Sequence, residues 1–138
     1  MPNQLVASNV LLLDRADALR TLLNSGHTLR LFSNDYTPLS QDSLGSFAEA
    51  TFTGYAAVGL SAAFAAPVKV QDGEYQISTT FYVFTCTGGS TTMCYGAYIT
   101  AGSDWKFAIR FDTPITVNNG TSFAIQINPQ DWAKSIIP

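Results

Sequence analysis

The sequence predicts a mainly β fold, an antiparallel β-sandwich or jelly-roll-like domain of about eight strands with one N-terminal helix. Three observations predict it. Only residues 10–24 repeat apolar side chains at helical spacing. After Gly26 the apolar residues alternate at a period of two instead. Turn signals then separate the alternating runs without helical segments between them: Asp72-Gly73, Gly88-Gly89, Gly102-Ser103-Asp104 and Asn118-Asn119-Gly120.

The helix reads VLLLDRADALRTLLN, which sets Leu12, Ala16, Leu19 and Leu23 on one stripe. Ser8 or Asn9 is placed to cap its start and Ser25-Gly26 to stop it. The strands follow. Residues 29–32, 47–52, 55–60, 67–70 and 95–100 are short candidates. Tyr75, Ile77, Thr79, Phe81 and Val83 alternate in one run, as do Trp105, Phe107, Ile109 and Phe111, and Phe123, Ile125 and Ile127. In LRLFSNDYTP the first strand finishes at Phe32. Asn34 and Asp35 are then expected to bond to backbone in a turn, and Pro38 to stop the strand continuing.

The chain has 138 residues, the size of one domain with a substantial core. Residues 10–128 form that domain, flanked by an N-terminal arm at 1–9 and a C-terminal arm at 129–138. Hydrophobic residues make up 46% and charged residues 12%, against roughly 25% charged in an average soluble protein. So sparse a charge with this many aromatics points to a surface partly covered by other protein subunits. The net charge of −3, with Lys and Arg few and scattered, argues against nucleic acid as a partner. MPNQLVASNV lacks the basic start and apolar run of a signal peptide, and no run approaches the ~20 apolar residues of a membrane span. Soluble, unsecreted synthesis is the expectation.

Motifs that carry chemistry are sparse. His27 is the single histidine, in a helix-to-strand corner where solvation is the ordinary state. There is no nucleophile elbow and no Gly-rich phosphate loop. Cys86 and Cys94 flank TGGSTTM, read as a hairpin loop. They are either a disulfide or free thiols, and a structural zinc site lacks ligands. Two carboxylates across a cleft would suffice for a glycosidase, yet no spacing favours a pair. Ser33 to Asp35, or Asp42, lacks the ligand density of a calcium loop. Asn119-Gly120-Thr121 matches a glycosylation acceptor and is read as a turn. Tyr36, Tyr55, Tyr82, Trp105 and Trp132 are the aromatics available for stacking on sugar. Glu49 and Arg110 are candidates for a register-fixing ion pair if their strands are neighbours, the alternative being two solvated charges. No enzymatic activity and no cofactor are expected.

The order of LRLFSNDYTP, FAEATFTGYAAVGL and CYGAYITAGSDWKFAIRFDTPITVNNGTSFAIQI resembles a group of small all-β virion structural proteins of tailed bacteriophages, across residues 10–128. The matched positions are Leu29, Leu31, Phe32, Asn34, Thr37, Pro38, Glu49, Phe52, Gly54, Tyr55, Tyr95, Gly96, Tyr98, Trp105, Arg110 and Phe111. The stretch from Cys86 to Cys94 and the tail NPQDWAKSIIP depart from the pattern. The resemblance implies a non-enzymatic component of a virus particle, a head decoration or a tail or fibre accessory protein. It would be made in the host cytoplasm and located in the virion. Its partners would be its own copies, with a trimer as the candidate oligomer, and other virion proteins such as the major capsid protein. No membrane is involved. The alternative is a carbohydrate- or receptor-binding module of a phage fibre or tail. In the tail, Trp132, Ile136 and Ile137 are candidates for an assembly arm on a neighbouring subunit, or for a cover on the chain's own sheet.

Overall fold

A computed structural model describes residues 8–72, 74–79 and 81–128. Helix α1 spans Asn9–Leu23, and Ser8 caps it, its hydroxyl accepting the Leu11 N–H at 3.2 Å. Ala16 and Leu23 of the stripe are buried and Leu19 packs against the same core. The last turn is fastened by Asn24, which accepts the Phe64 N–H at 2.8 Å and donates to the Phe64 carbonyl oxygen at 3.2 Å. Arg20 donates to that oxygen as well. Gly26 then reverses the chain at φ +70°, a conformation that costs a side chain but not glycine.

Among the described residues eight strands follow: β1 (Thr28–Phe32), β2 (Val58–Gly59), β3 (Val68–Gln71), β4 (Glu74–Gln76), β5 (Phe81–Thr85), β6 (Thr92–Ala101), β7 (Asp104–Val117) and β8 (Ser122–Gln126). Every pairing is antiparallel, in one four-stranded sheet ordered β2-β1-β6-β7 and two ribbons, β3-β4 and β5-β8. The fold is therefore mainly β and sandwich-like, as the alternation predicts.

Residues 81–126 form one long antiparallel hairpin folded in half. Its tip lies at Gly102-Ser103, and its register runs from Ala101↔Asp104 through Thr92↔Val117 to Thr85↔Ser122 and Phe81↔Gln126. At the corner the two arms stay zipped: Cys86 N–H donates to the Thr121 carbonyl oxygen at 2.8 Å, Gly120 N–H to that of Cys86 at 2.8 Å, and the Thr91 hydroxyl to Asn118 Oδ1 at 2.6 Å. The far half thus joins the four-stranded sheet, while the near half, β5-β8, lies in the other layer.

This corner corrects two sequence readings. The Cys86–Cys94 stretch is no hairpin loop, because β5 and β6 lie on one arm and pair with different strands. Facing positions are what a bridge requires, and both thiols are free and buried. The Asn118-Asn119-Gly120 turn likewise joins no hairpin. The Asn118 carbonyl oxygen accepts the Thr121 N–H at 2.9 Å, with positive φ at Gly120 and not at Asn119. That is an unprimed turn, the geometry that splays strands instead of pairing them.

The main core fills the space between layers. Leu29, Leu31, Ala97 and Ile99 from the four-stranded sheet meet Phe84, Ile125 and Ile127 from the other layer, with Leu23 of α1 and Phe64. The opposite face of the sheet carries Phe32, Tyr98 and Ala108 and is covered by the loop after β1, through Phe47. A register shift between Ile99 and Thr100 puts Trp105 on this second face while Phe107 and Ile109 pack into the main core. The unbroken alternation expected from Trp105 to Phe111 is therefore interrupted by a bulge.

Three further strands differ from expectation. Residues 47–52 make no strand and meet β1 through a single bridge, Phe32↔Glu49. Residues 55–60 shrink to β2. The run from Tyr75 to Val83 splits into β4 and β5, and its inward phase reverses. Ile77 and Thr79 are buried, then Phe84 is buried while Phe81 and Val83 point outward.

Candidate subunit interface

Glu49, Asp35 and Arg110, singled out in the sequence, lie at the second face of the four-stranded sheet, where each is paired. Arg30 of β1 donates through Nη1 to both oxygens of Glu49, at 3.0 and 2.9 Å, and through Nε to the Thr100 hydroxyl at 3.1 Å. The Tyr55 hydroxyl donates to Glu49 at 2.7 Å and accepts the Leu31 N–H at 3.2 Å. Burial, then the bond to Glu49, raises the Tyr55 phenol far above its ordinary range.

The expected pair of Glu49 with Arg110 is therefore corrected. The segment bearing Glu49 runs beside β1, and β7, which bears Arg110, lies two strands away across β6. Arg110 instead pairs with Asp35 at 2.6 Å and stacks over the Tyr95 ring at 5.6 Å. Its partner is brought there by the loop after β1, which crosses the sheet face. Trp105 Nε1 donates to the Asp42 carbonyl oxygen at 2.8 Å, and Phe47 lies flat on Tyr98 with ring centroids 4.7 Å apart.

Within the loop, Asn34 behaves as expected and Asp35 does not. Asn34 accepts the Ala48 N–H at 2.9 Å and donates to the Ser46 carbonyl oxygen at 3.0 Å, a backbone clamp. Asp35 has turned to a side chain, Arg110. Replacing Asn34 with Ala is expected to cost about 1–2 kcal/mol, and Asp35 with Ala under about 1 kcal/mol, because that pair is exposed. Urea unfolding of both variants checks the order, and an Asp35 loss larger than the Asn34 loss would contradict it.

The remaining sequence candidates also sit in structural positions. His27 is buried, not solvated, with Nδ1 2.8 Å from the Ser25 carbonyl oxygen. Asp42 accepts the Tyr36 hydroxyl and the Leu39 N–H, both at 2.6 Å. Tyr36, Tyr55, Tyr82 and Trp105 are each only partly exposed. Trp132, Ile136 and Ile137 lie outside the described residues. Among the described residues, no three or more His, Cys, Asp or Glu are placed to hold a metal ion, and no helix is long and apolar enough to cross a membrane.

Cys94 shows what burial does to a thiol here. Removal from water, opposed by a hydrogen bond with the Gly96 backbone, pushes it up to about 11. The thiolate is the reacting form, so a maleimide added at pH 7 to the folded protein is expected to label Cys94 at least about tenfold more slowly than the unfolded chain. Labelling at equal rates would show that the site opens freely.

Part of the surface is apolar. The outward side of β5-β8 presents Phe81 (65% exposed) and Val83 (66% exposed), facing Gln126 and Ala124 across the ribbon. Beyond them the Thr85 and Ser122 hydroxyls bond at 2.9 Å, so this side carries no charge. Val68 and Val70 of β3, and Val10, Leu11 and Leu22 of α1, are exposed too. Phe81 and Val83 are residues the sequence reading misplaced, because their alternation continued that of buried Thr79. The chain compared with known proteins matches no family model, no curated protein and no solved structure, so the arrangement of these side chains, with the order of the motifs, carries the functional reading.

Proposed function

We propose that the chain is a non-enzymatic structural protein of a virus particle, a capsid decoration or stabilising protein that acts through contacts with its own copies and with other virion proteins such as the major capsid protein. The observation that carries the subunit-contact part is the uncharged outward side of β5-β8 with Phe81 and Val83. A monomer gains nothing by holding these side chains in water. Covering both returns roughly 3–5 kcal/mol per copy, repeated over every copy in an assembly. The virion part rests on the ordered motifs that resemble the phage proteins. Many of the matched positions are fold determinants here: Leu29, Leu31, Phe32, Gly96 and Tyr98 are buried, and Glu49, Tyr55, Arg110 and Trp105 hold the covering loop.

The test is to purify intact particles from the source lysate, identify their proteins by mass spectrometry and reconstruct the particle. The chain is expected at a fixed copy number on the capsid. Its presence only in the soluble fraction overturns the proposal. Location on a fibre or tail, with binding on a glycan array, would replace it with the carbohydrate-binding alternative.

A further inference from the structure

We infer that the outward side of β5-β8 is the seat for the C-terminal segment of a second copy, with Trp132, Ile136 and Ile137 of that copy covering Phe81 and Val83. The inference rests on the assembly reading above and names the surface and its occupant.

The direction in which the chain leaves β8 carries the argument. Strand β8 runs antiparallel to β5, from Ser122 opposite Thr85 to Gln126 opposite Phe81. It therefore exits past the start of β5, heading away from Val83. Ile127 is buried and holds that heading: its N–H donates to the Thr79 hydroxyl at 3.2 Å, and its carbonyl oxygen accepts the Thr79 N–H at 3.1 Å. The next residues are Asn128-Pro129, and a proline keeps the residue before it extended, which opposes an immediate reversal onto the chain's own ribbon. Residues 129–138 span roughly 30 Å when extended, well beyond the ~17 Å of a five-residue strand.

The chemistry of the two surfaces matches. The seat is uncharged and offers an aromatic and a branched aliphatic side chain. The segment QDWAKSII offers an aromatic and two branched aliphatic side chains, with two charges of opposite sign, Asp131 and Lys134. Contact between this segment of one copy and the ribbon of the next repeats from copy to copy, and symmetry closes it into a ring or a dimer.

The experiment places the photo-crosslinker p-benzoylphenylalanine at position 83 of the full chain, an exposed site, and irradiates the purified protein. The expected result is an adduct with a peptide from residues 130–137 that migrates at twice the chain mass in denaturing gels. The same adduct at single-chain mass means that the segment covers its own ribbon and overturns the inference. So does an adduct to any other peptide, or none. A companion variant, Phe81→Ser, is expected to weaken self-association by about tenfold or more in sedimentation experiments, with the fold intact by circular dichroism. Unchanged association overturns the seat. Failure here is separable from failure of the assembly reading: an oligomer whose adducts lie elsewhere removes only the seat, whereas absence from purified particles removes the virion role itself.

Discussion

Gly96→Ala is expected to destabilise the protein by more than about 3 kcal/mol, a large part of the 5–15 kcal/mol that holds a domain together. Gly96 sits in the middle of β6, directly across from Phe32 of β1, and the Phe32 ring lies over its Cα. A methyl group at 96 would collide with that ring and with the Ile109 carbonyl oxygen of β7. The ring is fully buried and is tilted against Phe47 at 5.4 Å and Tyr98 at 6.3 Å, so it has nowhere to retreat. Overpacking of this kind costs ~1–3 kcal/mol when side chains give way, and more when backbone is the obstacle. Thermal unfolding is expected to fall by roughly 10 °C or more. Phe32→Ala alone is expected to lose about 3–5 kcal/mol. The double variant should then lose less than the sum by about 1 kcal/mol or more, since one ring can be displaced only once. A Gly96→Ala protein within about 0.5 kcal/mol of wild type would mean that the two strands do not approach as closely as this pairing requires.

The same pair shows what a sequence exposes and what it conceals. Leu29 and Leu31 alternate with polar neighbours, and the helix stripe has its own period, so the class of fold and much of its core are legible one residue at a time. Phe32 over Gly96 is a relation between strands 64 positions apart, and alternation assigns a face without naming the neighbour. Glu49 fails for that reason. The sequence places it beside a strand on a face with charge, and only the strand order decides that Arg30 stands next to it and Arg110 does not. Phe81 fails for a different one: Thr79 is buried and Phe81 exposed, so the inward phase inverts from β4 to β5, and no residue type announces such an inversion. The two turn signals at Gly88-Gly89 and Asn119-Gly120 were legible as turns. Their role as one zipped corner between layers depends on contacts between them, which local turn chemistry does not encode.

Glu49→Ala is expected to cost about 2–3 kcal/mol. The carboxylate accepts two bonds from Arg30 and one from Tyr55, and the ion pair is about one-third exposed, at 33% and 35% of the two side chains. Solvent therefore screens part of the attraction, which sets the figure below the ~3–5 kcal/mol of a fully buried pair left with one member. Double-variant cycles separate the partners. Arg30 and Glu49 should couple by about 1 kcal/mol, whereas Arg110 and Glu49 should couple by less than about 0.3 kcal/mol. The reverse order would restore the pairing that the sequence suggests. Tyr55 adds a dependence on pH. Its folded phenol is raised, by burial first and then by its bond to Glu49, above the unfolded value of about 10. Its contribution is then fully present below about pH 10 and is lost as pH rises from there through the folded value. Stability measured by urea unfolding at pH 9, 10 and 11 should fall across that window in the wild type. Tyr55→Phe should start lower, having lost the bonds to Glu49 and to the Leu31 N–H, yet fall less steeply. The slope that persists belongs to the other raised groups: Cys94, Tyr82 and Tyr98, raised by burial first, and Tyr36 and Lys69, raised by their bonds to Asp42 and Asp72. Equal slopes in the two proteins would show that Tyr55 ionises as freely in the fold as in the unfolded chain, and that its bond to Glu49 does not hold the proton.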